Sequence, residues 1–261
     1  MIYWDVSPDI VTIGPITIRW YGLLFALSFI IGYQIMLMIF NKENRSEKDL
    51  NDLVWYMVGG TVIGARLGHC LFYNPDYYLS HPIEILLVWK GGLASHGAAI
   101  GILFSIYWYI KKRKNFSFLW LMDRIVITVA LAGFFIRMGN LFNSEIYGMP
   151  TNVPWAFVFA AVDGQPRHPT QIYEALAYLF VFIILYVIYI RSFAKIKEGF
   201  LFGLFLILVF GFRFAIEFLK ENQSLFEEKM LINMGQLLSI PLIILGIYIL
   251  LRKDKKFLKI K

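Results

Sequence analysis

The chain has 261 residues, 59% of them hydrophobic and only 16% charged, with a mean hydropathy of +0.63. Soluble domains run at roughly 45–50% apolar and about 25% charged, so a water-soluble globule is excluded and an integral membrane protein is expected. The net charge of +7 comes without a basic patch interleaved with stacking aromatics, which argues against nucleic-acid binding.

The first ten residues, M-I-Y-W-D-V-S-P-D-I, have no basic stretch followed by a short apolar one, so no cleaved signal peptide is expected. Seven stretches, at about 17–40, 51–73, 92–110, 118–140, 172–190, 199–219 and 231–251, are long and apolar enough to cross roughly 30 Å of hydrocarbon. The expected fold class is all-α: a polytopic membrane protein of seven transmembrane helices, forming one domain over 1–261. No internal repeat is visible. The segment ahead of the first span has no basic residue apart from Arg19 at its edge. The successive loops then hold three, one, four, one, three and two basic residues, and the tail six. This alternation places the N-terminus outside, the C-terminus in the cytoplasm, and 74–91, 141–171 and 220–230 on the outer face. The tail also suits contact with anionic lipid.

Polar groups inside the spans mark the candidate site. I-R-W-Y-G at 18–22 sets Tyr21 near the outer end of the first span, where an interfacial aromatic is the plain reading. Arg66 lies in the middle of the second. G-G-L-A-S-H-G-A-A-I-G at 91–101 opens the third; its glycines permit close approach or a broken helix start, which favours an anion. His96 there is readable as a structural hydrogen-bonding group or as a base. Asp123 and Arg124, near the inner face, are expected, like Arg66, to form structural ion pairs. In R-M-G-N-L-F-N-S-E-I-Y-G at 137–148, Arg137, Asn140 and Asn143 share adjoining parts of one helical face. Gly139 gives close access, Glu145 follows, and Gly148 is expected to end the element. An interhelical hydrogen-bond clamp is the bland alternative.

In H-P-T-Q-I-Y-E at 168–174, Pro169 and Thr170 suit a helix start and His168 could cap or bind. Glu174 then falls one turn into the membrane and needs a partner such as an arginine. Arg213 and Glu217 stand at i, i+4, which allows a salt bridge, a carboxylate that aims the arginine at a ligand, or both. A guanidinium at mid-bilayer costs about 2.5–3.5 kcal/mol and cannot shed its proton. Arg137 and Arg213 therefore call for an embedded partner, and a phosphate fits the guanidinium fork best.

Signatures for zinc peptidases, nucleotide-binding loops and G-x-S-G serine proteases are absent, and no cluster has metal-ligand spacing. The single cysteine, Cys70, excludes an internal disulfide and reads as an inert buried thiol.

Taken together these segments resemble the bacterial prolipoprotein diacylglyceryl transferases. The resemblance rests on I-R-W-Y-G at 18–22, V-W-K-G-G-L-A-S-H-G-A-A-I-G at 88–101, R-M-G-N-L-F-N-S-E-I-Y-G at 137–148, R-H-P-T-Q-I-Y-E at 167–174, F-R-F-A-I-E-F at 212–218 and M-G-Q-L-L-S at 234–239. It implies transfer of the diacylglyceryl group of phosphatidylglycerol to the lipobox cysteine thiol of a prolipoprotein signal peptide, the first step of lipoprotein maturation. A thioether forms and glycerol phosphate leaves. The implied setting is the bacterial cytoplasmic membrane, with the active site toward its outer face and no cofactor or metal. The implied catalytic residues are Arg137, Arg213, His96 and Tyr21; Asn140, Asn143, Glu145, Gly148 and Glu217 join the two arginines in binding substrate. Attack at an sp3 carbon with a phosphate monoester leaving suits two guanidiniums, which would hold the departing oxygen more strongly as the bond breaks. The thiolate comes from the substrate, so Cys70 is not needed. His96 is the histidine placed to accept the thiol proton; the alternative gives it a lipid-orienting role. Two rivals remain: a transporter for an organic anion and a lipid-binding scaffold. The first is disfavoured by the missing repeat and by polar groups crowded to one side.

Overall fold

The computed structural model describes residues 1–88, 91–113, 115–221, 230 and 232–252. Trp89, Lys90, Lys114, most of the 220–230 loop, the expected start of the last span at 231 and the tail beyond 252 lie outside the described residues.

Helices occupy all seven places expected from the sequence. They are α1 (Trp20–Lys42), α2 (Glu47–Phe72), α5 (Ser95–Arg113), α6 (Phe118–Phe142), α7 (Thr170–Ser192), α8 (Phe200–Ile216) and α9 (Met234–Leu251). Between α2 and α5 lie two short helices, α3 (Pro75–Ser80) and α4 (Pro82–Ile85). Among the described residues, five elements are long and apolar enough to cross a membrane: α1, α6, α7, α9, and α8 with the 3-10 turn Glu217–Leu219 that continues it. Helices α2 and α5 fall short in composition: α2 opens on charged residues and carries Arg66, and α5 ends in Lys111, Lys112 and Arg113. The structure is mostly helical, as expected, but short strands are also present: β1 (Ile2–Trp4), β2 (Asp9–Ile13), β3 (Ile16–Arg19), β4 (Phe157–Phe159) and β5 (Pro166–Arg167). Strands of two to five residues are too brief to display alternation, which hid them in the sequence.

The chain groups into two compact units, one of residues 1–36 and 122–261, the other of 37–121. In the first, β1 pairs in parallel with β4 and β4 antiparallel with β5, while β2 and β3 form a hairpin. The small sheet covers a core of Leu141, Phe157 and Phe159, packed by Trp4, Met138, Tyr147, Val162 and Ile172. Helices α8 and α9 approach closely at Gly203 and Gly246, where an added Cβ would meet the opposite glycine's carbonyl oxygen at 2.9 or 2.8 Å. Small residues at such a crossing let backbones pack without lipid between them.

In the second unit, α2 and α5 cross through Gly60, Gly64 and Gly68 on one side and Gly97 and Gly101 on the other. A Cβ on Gly64 would lie 2.4 Å from the Gly97 carbonyl oxygen. A groove of about 720 Å³ runs along this seam, lined by residues that include Trp55, Ile63, Leu67, Phe72, Ile100 and Phe104. Ser46 caps α2 by accepting from the Asp49 amide, and Arg113 pairs with Asp49 at 3.1 Å and with Asp52. The ion pair expected for Arg66 is corrected here. Its buried guanidinium donates to carbonyl oxygens of Glu84 (2.5 Å), Ile85 (3.0 Å), Gly91 (2.6 Å) and Gly92 (3.3 Å), and it lies over Tyr78. A planar five-donor fork can gather several carbonyls that a carboxylate would leave unsatisfied.

Candidate active site

In the first unit, α6 brings Arg137 to within five residues of its C-terminal end, and α7 begins at Thr170, so Glu174 comes one turn in. The Arg137 side chain is 12% exposed and that of Glu174 is fully buried; Arg137 Nε stands 3.1 Å from Glu174 Oε2. The partner required by a carboxylate at this depth is therefore Arg137. Tyr178, a turn further along α7, donates its hydroxyl to Glu174 Oε1 at 3.3 Å.

On its other side Arg137 donates from Nη1 to Asn140 Oδ1 at 3.2 Å. Asn140 and Asn143 in turn donate to Glu145 Oε1 at 2.8 and 3.1 Å. Helix α6 stops at Phe142, and Ser144 and Ile146 take left-handed backbone angles (φ 51° and 57°) that fold Glu145 back under the asparagines. A β-branched residue in that region is costly, about 1–3 kcal/mol, and needs local support. Support comes from α7: Thr170 Oγ1 donates to the Ile146 carbonyl at 2.9 Å and Gln171 Nε2 to the Glu145 carbonyl at 2.7 Å.

Gly148 does not end α6, contrary to expectation. It is buried and bridges Lys220 in antiparallel fashion, and its amide donates to the His168 carbonyl at 2.9 Å. An added Cβ there would meet the Leu219 carbonyl oxygen at 2.6 Å and His168 Cβ at 2.7 Å. Its size, not a capping geometry, is what the fold uses. His168 provides no side-chain cap to α7; its Nδ1 lies 3.3 Å from the Tyr173 hydroxyl. Nearby, Arg167 donates to the Gly148 carbonyl and to Asp163 and Glu221, and this bonding holds the Asp163 carboxyl below its ordinary range.

Arg213 lies in the last turn of α8, with its Nε 3.8 Å from Glu217 Oε1 and its side chain 35% exposed. Among the described residues its guanidinium makes no hydrogen bond. Glu217, nearly buried, accepts at Oε2 from Asn233 Nδ2 at 3.2 Å. Asn233 is also the N-cap of α9, in a capping box with Gln236. Gly235 opens room for the carboxyl: a Cβ there would sit 2.5 Å from Glu217 Cδ. The M-G-Q segment thus owes its small residue to Glu217. Tyr21, in the first turn of α1, packs on Gly139, where a Cβ would meet the Tyr21 ring at 2.7 Å.

His96 belongs to the second unit, in the first turn of α5. It is exposed, with its ring 5.5 Å from that of Phe72 and 5.8 Å from that of Tyr73. No group of three or more histidine, cysteine, aspartate or glutamate residues able to hold a metal occurs among the described residues.

The arrangement is a buried cation array built on carboxylates and amides and left open at Arg213. The family model for prolipoprotein diacylglyceryl transferase matches residues 8–252. The chain belongs to this family. Among its relatives are proteins named phosphatidylglycerol–prolipoprotein diacylglyceryl transferase. That of Chloroherpeton thalassium is 49% identical over 98% of this chain and 95% of its own length. That of Tolumonas auensis is 47% identical over 98% and 99%, and that of Porphyromonas gingivalis 42% over 97% and 95%. As a member of the prolipoprotein diacylglyceryl transferase family, the chain gathers Tyr21, Arg137, Asn140, Asn143, Glu145, Gly148, Arg213 and Glu217 in one unit. The sequence reading leaves Lys220, Tyr178, Asn233 and Gly235 out of the site. Of these, Lys220 and Tyr178 offered a local signal, in their i+3 spacing from Glu217 and i+4 spacing from Glu174, and Gly235 lies in the M-G-Q-L-L-S segment.

Proposed function

We propose that this protein transfers the diacylglyceryl group of phosphatidylglycerol to the lipobox cysteine thiol of a bacterial prolipoprotein. The sulfur attacks the glyceryl carbon bonded to the phosphate, a carbon–sulfur bond forms, and the carbon–oxygen bond breaks. Glycerol phosphate leaves with the electron pair on oxygen, and the thiol proton passes to a base. Arg137 and Arg213 bind the lipid phosphate and stabilise that departing oxygen, where charge builds as the bond lengthens. Asn140, Asn143, Glu145, Glu217 and Gly148 shape and orient the binding site, and Tyr21 borders it. His96 accepts the thiol proton. One domain over 1–261, with seven spans, N-terminus outside and C-terminus inside, sits in the cytoplasmic membrane and works toward its outer face. The observation that carries the reading is the pairing of a buried Arg137 with Glu174 beside an Arg213 whose guanidinium makes no hydrogen bond among the described residues, in a chain of this family.

The test gives the purified protein phosphatidylglycerol and a lipobox peptide with one cysteine, and follows masses. The expected result is a peptide heavier by a diacylglyceryl group, with glycerol phosphate released. Arg137→Ala is expected to lower turnover by at least about 100-fold, the scale for losing one preorganised charge stabiliser. Intact lipid and peptide with a folded, lipid-binding protein would overturn the reading. His96→Gln with wild-type turnover and a flat profile from about pH 5 to 8, across the ordinary histidine range, would end its role as base.

A further inference from the structure

Between the two arginine–carboxylate pairs lies a third cation. Lys220 follows the 3-10 turn that continues α8, in extended backbone. Its place is fixed by the bridge to Gly148 and by the Met149 amide donating to the Leu219 carbonyl at 2.9 Å. The side chain is 2% exposed. Its Nζ stands 3.0 Å from Glu174 Oε1 and 3.2 Å from Glu217 Oε1. Arg137, Glu174, Lys220, Glu217 and Arg213 therefore form one continuous chain of alternating charge. Lysines are almost never fully buried unless paired. This one is paired twice, with the carboxylates that hold the two arginines.

The charge count gives this placement a consequence. Among the described residues, three cations including Lys220 face two carboxylates and one positive charge remains. Without it, two guanidiniums face two carboxylates and none remains. Glu145 is exposed and reaches Arg137 only through Asn140, so water screens it from the array. A neutral array could hold its shape, yet it would give an anionic headgroup little net attraction and a departing phosphate oxygen little stabilisation.

We propose that Lys220 is a positioning residue of the transfer reaction. By taking up the charge of Glu174 and Glu217, it leaves Arg137 and Arg213 fixed in place and electropositive toward the lipid phosphate. The inference rests on the reading of the arginine pair as the phosphate site. Lys220 itself has almost no exposed surface and acts through the arginines.

The test uses the full-length protein in mixed micelles. It measures kcat/KM for phosphatidylglycerol and, separately, binding of phosphatidylglycerol against phosphatidylcholine. K220M is expected to lower kcat/KM at least about thirtyfold and to erase the preference for the anionic lipid, as loss of net charge at the site requires. K220R keeps the charge and is expected to lie within about fivefold of the native protein, since a guanidinium can serve both carboxylates. K220M/E174Q removes one carboxylate along with the lysine and restores one positive charge, so at least about fivefold recovery over K220M is expected. If K220M proves unstable, K220R and the double variant carry the comparison. K220M within twofold of the native protein overturns the proposal. So does a folded K220R or double variant as inactive as K220M, because packing rather than charge would then be the role. If the native protein transfers nothing but prefers the anionic lipid in a Lys220-dependent way, the transferase reading fails and the charge role stands.

Discussion

Gly139 illustrates how one atom of bulk bears on the site. It faces the ring of Tyr21, and a Cβ there would come within 2.7 Å of that ring. The helix itself would welcome alanine, which is the better helix former by about 1 kcal/mol. Gly139→Ala should therefore cost stability only by the net of a propensity gain and an overpacking loss of about 1–3 kcal/mol. Its larger effect should fall on activity, because Tyr21 must move. We expect at least a tenfold drop in turnover with about unchanged helix content by circular dichroism, a scale in line with angstrom displacements near reacting groups. A variant that transfers normally would remove Tyr21 from the site. Arg66 shows another residue-scale solution to a buried cation: four carbonyl contacts and, among the described residues, no carboxylate. These carbonyl bonds staple the segment ahead of α5 to α2, a role that spacing in the sequence does not disclose.

At the scale of elements, α8 is started from outside. Its N-cap, Gly199, has φ 92° and offers no side-chain cap. Asp123, fully buried on α6, accepts instead from the amides of Gly199 at 2.7 Å and Phe202 at 2.8 Å. Asp123 also lies 3.7 Å from Arg124, so the ion pair expected from the sequence is present, and the cap is an additional function of the same carboxylate. Asp123→Ala should cost about 1–2 kcal/mol, the range for losing a helix cap, read as a fall in thermal midpoint. Activity per folded molecule should be retained. If Asp123→Asn folded normally yet transferred nothing, the structural assignment of this pair would fail. The elements also show which parts of the site the sequence discloses. Arg213–Glu217 and Arg137–Asn140 follow from helical spacing alone. The strand-like bridge at Gly148 involves segments far apart in the chain, and no local pattern marks it.

For the whole molecule, the charges of the loops and their structural partners bear on topology. Of the basic residues in the loops read as outer, Arg167 and Lys220 are consumed in ion pairs with Asp163, Glu221, Glu174 and Glu217. The positive-inside rule counts Lys and Arg and takes little account of acidic partners, so these pairs leave the expected orientation resting on the loop counts alone. Thiol labelling of intact cells measures it. The one native cysteine, Cys70, has no exposed surface, so background reaction should be small. Asn152→Cys, in the segment after α6, is expected to react with an impermeant maleimide from outside. Lys112→Cys, at the end of α5, is expected to react only after permeabilisation. The reverse pattern would invert the topology and place the arginine array toward the cytoplasm.

Membrane character, the positions of the long helices and the residue types of the site were determined by the sequence. In hydrocarbon an apolar run must satisfy its own backbone hydrogen bonds, and helix periodicity then decides which neighbours i+3 and i+4 can meet. The sequence also required a cation for Glu174 without saying which. Tertiary structure chose Arg137 and Lys220 together, because α6, α7 and the turn after α8 converge there and a buried carboxylate is tolerable only where opposite charge is packed against it. Which cation ends up beside which carboxylate depends on how separate helices pack, and that information is spread over all the residues between them.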